Sequence, residues 1–112
     1  MTKLDVNQED HSENIKYNKK DYPIYIARDL LSSFLDYEAD PHWHDDLEFT
    51  YILDGEMEYN INGEIVQLNR NEAIFVNSRQ IHYGFSSKHK ECDFFCVVMN
   101  PKLLCARQSL RK

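Results

Sequence analysis

Glycine, proline and cysteine occur only three times each in this 112-residue chain, and there is a single tryptophan. The odd cysteine count (Cys92, Cys96, Cys105) argues against a disulfide framework and fits a reducing cytoplasm. Cys92-x3-Cys96 is not a zinc-knuckle spacing. On a strand the two thiols would share a face roughly 13 Å apart, so they are read as core or surface thiols. No base neighbours them in sequence, which leaves a thiol nucleophile without support. No apolar run approaches 18 residues, so no transmembrane helix is expected. The polar N-terminus offers no signal-peptide h-region, and a cytoplasmic location is the expectation. Internal repeats and low-complexity segments are missing too. Cations are scarce where acids are dense: Arg28 is the single basic residue of 21–64. The net charge is −6. Such a surface repels phosphate, so this chain by itself is a poor candidate for nucleic-acid binding.

What is present is a chain of one-domain size with 42% hydrophobic and 29% charged residues, including seven Tyr and six Phe. Residues 1–20 are polar and read as a mobile arm. Tyr22-Pro23-Ile24-Tyr25-Ile26 is β-prone, its proline suiting a strand start or an edge. The segment 29–35 is open between a helical turn and an irregular strand. From residue 42 the pattern is β throughout. Residues 44–53 read as a central strand covered on both faces, with Leu47, Phe49, Tyr51 and Leu53 on one side and His42, His44, Glu48, Thr50 and Ile52 on the other. Asp54-Gly55 reads as a turn. Met57, Tyr59 and Ile61 then alternate with polar residues, and Asn62-Gly63 is a strong type I′ hairpin signal. Ile65–Leu68, Ala73–Val76, Ile81–Phe85 and Cys92–Met99 are further strands. Pro101 stops the last one, and residues 102–112, basic with leucines, begin a helix. Short strands joined by tight turns mean an antiparallel sandwich or barrel.

The chemistry lies in residues 41–55. His42, His44 and Glu48 share parity, and His82 opens a later strand that can lie beside them. Three imidazoles and a carboxylate are a ligand set for Zn, Ni, Mn or Fe. They equally make a polar pocket floor that holds an organic molecule without metal. Trp43, of opposite parity, reads as a packing anchor. Tyr51 and Tyr59 read as packing residues, Asp45 and Asp46 as solvated ones, and His89 as a loop residue.

His42-x-His44-x3-Glu48-x6-Gly55 resembles the first motif of the cupin superfamily. Gly63-x5-Asn69-x-Asn71-Glu72, followed by His82, looks like a degraded second motif, with Asn69 where proline is usual and Asn71 where glycine is usual. More narrowly, residues 41–104 resemble the N-terminal effector-binding domain of AraC-type transcription regulators. The resemblance implies an all-β double-stranded β-helix, a jelly-roll-like barrel formed by residues 21–101. It would carry a mobile arm (1–20), able to fold over the barrel mouth, and the start of a linker or dimerisation helix (102–112). It implies a binding module rather than an enzyme: a small polar effector such as a sugar, held by His42, His44, Glu48 and His82, with no catalytic residue. A homodimer would contact DNA only through a C-terminal domain missing from this sequence, which suits a truncated regulator. No membrane partner is implied. The competing reading is a small metal-dependent cupin enzyme (dioxygenase, isomerase or lyase) using the same four residues as metal ligands.

Overall fold

A computed structural model describes residues 4–103. Among the described residues, six strands make up nearly all the regular structure: β1 (Ile24–Leu30), β2 (Leu47–Ile61), β3 (Glu64–Asn69), β4 (Ala73–Val76), β5 (His82–Phe85) and β6 (Cys92–Met99). All pairings between them are antiparallel. β2 is the spine. Its first half pairs with β4 and β6, and β1 adds outside β6, giving the order β1-β6-β2-β4. Its second half pairs with β3 on one side and β5 on the other. One strand thus belongs to both halves of an all-β, cupin-like barrel.

That continuity corrects the reading of Asp54-Gly55 as a turn. The strand runs 15 residues straight through it, and the irregularity is a register shift against β6 between Ile52 and Asp54. Gly55 has φ +85°, and a Cβ there would stand 2.3 Å from the Glu91 carbonyl oxygen. Only glycine accepts both the positive φ and the close approach. The bulge also resets the strand's parity. Glu48, Thr50 and Ile52 are buried before it, and Met57 and Tyr59 after it, so both sets face one interior.

The Asn62-Gly63 hairpin forms as expected, with φ of 49° and 92° at its two central residues. Ile61 pairs directly with Glu64 across it. β1 begins after Pro23 and extends to Leu30. The segment left open above becomes its end and two short 3₁₀ turns, Leu31–Ser33 and Leu35–Tyr37. Leu31, Ile52, Met57, Tyr59, Leu68, Val76, Cys92 and Phe94 form the buried core. At about 1.5–3 kcal/mol for each large apolar side chain removed from water, this cluster is the main source of stability.

The expectation that β2 is covered on both faces does not hold. Phe49 is 46% exposed and Phe75 43%. Their rings meet at a tilt, 5.5 Å apart, on the outer surface, beside the stacked Tyr51–Phe95 pair at 5.4 Å. Alternation told which residues share a side, but not that only one side faces protein. Cys92 and Cys96 are free thiols, and Cys105 lies outside the described residues. The helix expected over 102–112 likewise lies, beyond Leu103, outside them. No helix among the described residues is long and apolar enough to cross a membrane.

Residues 4–20 contain no strand or helix of their own, yet they are laid against the barrel. The Glu13 amide donates to the Trp43 carbonyl (2.8 Å), and the Trp43 amide donates to the His11 carbonyl (2.9 Å). The Trp43 indole N–H donates to the Asp10 carbonyl at 2.8 Å, and the Arg79 guanidinium lies over its ring. Trp43 is therefore an anchor, as its parity implied, and what it anchors is the arm.

Candidate metal and effector centre

The four residues singled out from sequence converge. The ligand atoms of His42, His44, Glu48 and His82 all lie within 4.8 Å of one another, and all four residues are buried. Three local arrangements bring them there. His42 and His44 lie just upstream of β2, and the bend at Asp45-Asp46 turns the chain into it without losing parity. His82, first in β5, exchanges backbone hydrogen bonds with His42 (3.2 and 2.9 Å), which fixes the two rings 4.2 Å apart. Glu48, second in β2, projects between them.

The protons of this cluster follow from its outer contacts. The Nδ1 of each histidine faces a backbone carbonyl: His42 on Asp40 (2.7 Å), His44 on Asp46 (3.0 Å) and His82 on Gln80 (2.8 Å). A carbonyl only accepts, so each Nδ1 is assigned as the protonated, donating nitrogen. A neutral ring then carries a bare lone pair at Nε2. For His44 and His82 that nitrogen points at Glu48 Oε1, 3.1 Å away in both cases. Lone pairs do not bond lone pairs. Between these three atoms there must be a positive charge, either a proton on an imidazole or a cation. A carbonyl that orients each ring and leaves Nε2 free is the usual outer support of a metal-bound histidine. The residues thus fit a first-row divalent ion. Metal–ligand bonds of about 2.0–2.2 Å place ligand atoms roughly 3–4.3 Å apart, close to the span seen here.

The electrostatics follow the same logic. Burial opposes charge on Glu48, but the bonds to His44 and His82 win and hold its carboxyl well below the usual range. Burial opposes a charged His44, yet Glu48 beside it leaves the net shift upward. His42 is pushed down to about 4 by burial and by His82. Its Nε2 therefore stays bare near neutral pH.

Three contributors were missed or misread in sequence. Tyr59, expected to pack, donates from its hydroxyl to Glu48 Oε2 at 2.9 Å, and Thr50 donates to the same oxygen at 3.1 Å. Asp46, expected to be solvated, is buried; its carboxylate accepts from Tyr17 at 2.6 Å. Asp45, paired with Arg79, is exposed as expected. His89 sits in a loop, as read, stacked on Tyr37. The third is Glu13, whose Oε1 lies 3.4 Å from His42 Nε2 and 4.0 Å from His44 Nε2. Burial pushes its carboxyl up to about 7. Nothing local marks Glu13, because an acid in a polar arm is unremarkable until the arm is docked. A cavity of about 110 Å³ adjoins the centre, reached by Glu13, His42, Glu48, Thr50, Tyr59 and Cys96.

The family model described as "Cupin domain" matches residues 36–98. The chain is a cupin. Among known proteins it is similar to the HTH-type transcriptional regulator YdeC of Bacillus subtilis, with 21% identity over 96 residues. That match covers 86% of this cupin but 33% of the regulator, so the chain spans about a third of the relative's length. Among solved structures it is similar to a predicted oxalate decarboxylase from Thermotoga maritima, with TM-score 0.60 and 25% identity over 68% of this chain and 65% of the other. It is also similar to an HTH_3 family transcriptional regulator from Vibrio cholerae, with TM-score 0.56 and 23% identity over 74% and 46% of the two chains. The cupin fold is therefore shared with both enzymes and regulators.

Proposed function

We propose that this cupin is the effector-sensing domain of an AraC-type transcription regulator, and that a divalent cation held by His42, His44, Glu48 and His82 forms the floor of its effector site. The observation that carries the site is the proton count: three Nδ1–H anchors leave three Nε2 lone pairs, and those of His44 and His82 both face one carboxylate oxygen, an arrangement that calls for a positive charge. The likeness to YdeC, which covers most of this chain, supports the regulatory setting. The cation would supply Lewis acidity toward an oxygen of a small molecule in the adjoining cavity. The chain's own residues orient that floor: Tyr59 and Thr50 hold Glu48, and the carbonyls of Asp40, Asp46 and Gln80 hold the rings. Sensing needs a difference in effector affinity between two states, not a reaction. DNA contact belongs to a further domain, and the exposed Phe49–Phe75 pair beside the half-buried Tyr51–Phe95 pair suits the second copy of a homodimer. The test is metal analysis of protein purified without added metal, followed by thermal shift with small molecules. Near-stoichiometric metal and a melting temperature raised by one ligand support the sensor. Protein that takes up no divalent metal at neutral pH refutes the cation floor.

A metal-dependent enzyme is the second reading. It is favoured by the likeness to the predicted oxalate decarboxylase and by the three-histidine, one-carboxylate donor set. Turnover by the metal-loaded protein of a compound that also raises its melting temperature would decide for it.

A further inference from the structure

We infer that Glu13 is an internal ligand of the centre, occupying the place of a small carboxylic acid whose remainder is apolar. The inference rests on the cation-floor reading above. Four observations carry it. The Glu13 carboxylate is brought 29 and 31 positions along the chain to stand 3.4 Å from His42 Nε2, which the Nδ1 contact leaves without a proton, and 4.0 Å from His44 Nε2. Its side chain is only 12% exposed, although it belongs to a segment with no strand or helix of its own. The backbone of the arm is bonded on either side of Trp43, the residue between the two histidines, so carboxylate and arm are docked as one unit. Much of the remaining cavity wall is apolar, from Ile15, Leu31, Phe34, Met57, Phe94 and Val98.

A carboxylate is a hard oxygen donor and suits a divalent ion as a further ligand beside imidazoles. A free carboxylic acid of the right size therefore competes for the same position. When it binds, Glu13 leaves, and the hydrogen bonds joining residues 10–13 to Trp43 lose the group that draws the arm inward. The apolar wall receives the alkyl part of the acid. A sugar, which carries hydroxyls all round, would leave several of them unpaired against that wall.

The lone tryptophan is the reporter, because its indole N–H donates to the Asp10 carbonyl of the arm. The experiment uses the full chain loaded with Zn(II), as wild type, Glu13→Gln and Glu13→Ala. The probes are isobutyrate and its uncharged isostere isobutyramide, followed by Trp43 emission and by tryptic cleavage after Lys16, Lys19 and Lys20. Isobutyrate should bind both variants at least tenfold more tightly than wild type, since no internal carboxylate competes. In wild type it should also shift Trp43 emission and speed tryptic cleavage after the three lysines, whose side chains are already exposed but whose backbone is held while the arm is docked, whereas isobutyramide does neither. Equal isobutyrate affinity in wild type and variants, no binding to any of them, or an arm that stays protected with isobutyrate bound would each overturn the inference. Wild type that takes up no Zn(II) instead removes the cation floor, and the inference with it.

Discussion

Glu48→Gln separates the two sources of positive charge that the centre can use. The amide oxygen still accepts from Tyr59 and Thr50, which now bond Oε2 at 2.9 and 3.1 Å. The NH2 group replaces Oε1 and faces the Nε2 atoms of His44 and His82, each 3.1 Å from that position. With both Nδ1 protons committed to carbonyls, these nitrogens are acceptors, and one NH2 has two hydrogens to give. The metal-free variant is thus fully bonded without any charge, and its stability should fall within about 1.5 kcal/mol of wild type, the scale of one net hydrogen bond. Metal binding should behave differently, because the variant loses the carboxylate of the set. Outer-shell changes alone cost about 10–100-fold in affinity, so loss of the anionic ligand should cost at least about 100-fold. With Zn(II) at about 100 times the wild-type Kd, binding stabilises wild type by about 2.7 kcal/mol, and the variant by only about 0.4 kcal/mol. At roughly 4–6 °C per kcal/mol for a domain of this size, the wild-type melting temperature rises by about 11–16 °C and the variant's by about 2 °C. Thermal denaturation with and without Zn(II) measures both. A variant stabilised by Zn(II) as much as wild type refutes Glu48 as a ligand. A metal-free variant weakened by more than about 3 kcal/mol refutes the proton assignment, since that is the cost of breaking a buried ion pair.

Tyr59→Phe removes the hydroxyl donor to a buried carboxylate, and urea unfolding should show a loss of about 1.5–3 kcal/mol, with Zn(II) affinity reduced as Glu48 loses its support. A change under 0.5 kcal/mol would mean the hydroxyl is replaceable. Gly55→Ala forces a Cβ against the Glu91 carbonyl at positive φ and should cost more than the 1–2 kcal/mol of the backbone conformation alone, lowering the urea midpoint markedly. Proton release accompanies metal uptake: His44 is raised above its ordinary value, so near pH 6.5 it holds a proton that the ion displaces, seen by calorimetry in two buffers of different ionisation heat. In the metal-free protein the sign follows from the raised value. The His44 contribution to stability is full below the unfolded pKa of about 6.5 and is lost as pH rises through the folded pKa. Burial and neighbouring acids push the Cys92 thiol up to about 12, and Cys96 is also raised, so peptide mapping after iodoacetamide at pH 8 should find both unmodified until the protein unfolds.

Much of the centre was legible in the chain because its information is local. His42, His44 and Glu48 lie within seven positions, and strand parity alone puts them on one side. Their burial, and the placing of His82 beside them, agree with that pattern. The Asn62-Gly63 hairpin and the strands β3, β4 and β6 were equally local, set by turn chemistry and apolar runs. Asp54-Gly55 shows where local reading ends. An Asp-Gly pair serves a turn or a bulge alike, and the partner that decides between them, β6 with the Glu91 carbonyl just before it, arrives more than 30 residues later.

From that one decision follows what only the tertiary structure determined. The bulge turns Tyr59 inward, where its hydroxyl reaches Glu48, and it carries one strand across both halves of the barrel. Glu13 reaches the histidines because backbone bonds to Trp43 dock an arm that has no apolar periodicity to announce it. The sequence by itself determined the donor atoms and the β architecture, through parity, turn chemistry and apolar patterning, which act over a few residues. The folded chain determined their protons, their charge and their neighbour in the arm. Those depend on which carbonyl, carboxylate or hydroxyl lies within about 3 Å, and that is settled by contacts between distant parts of the chain.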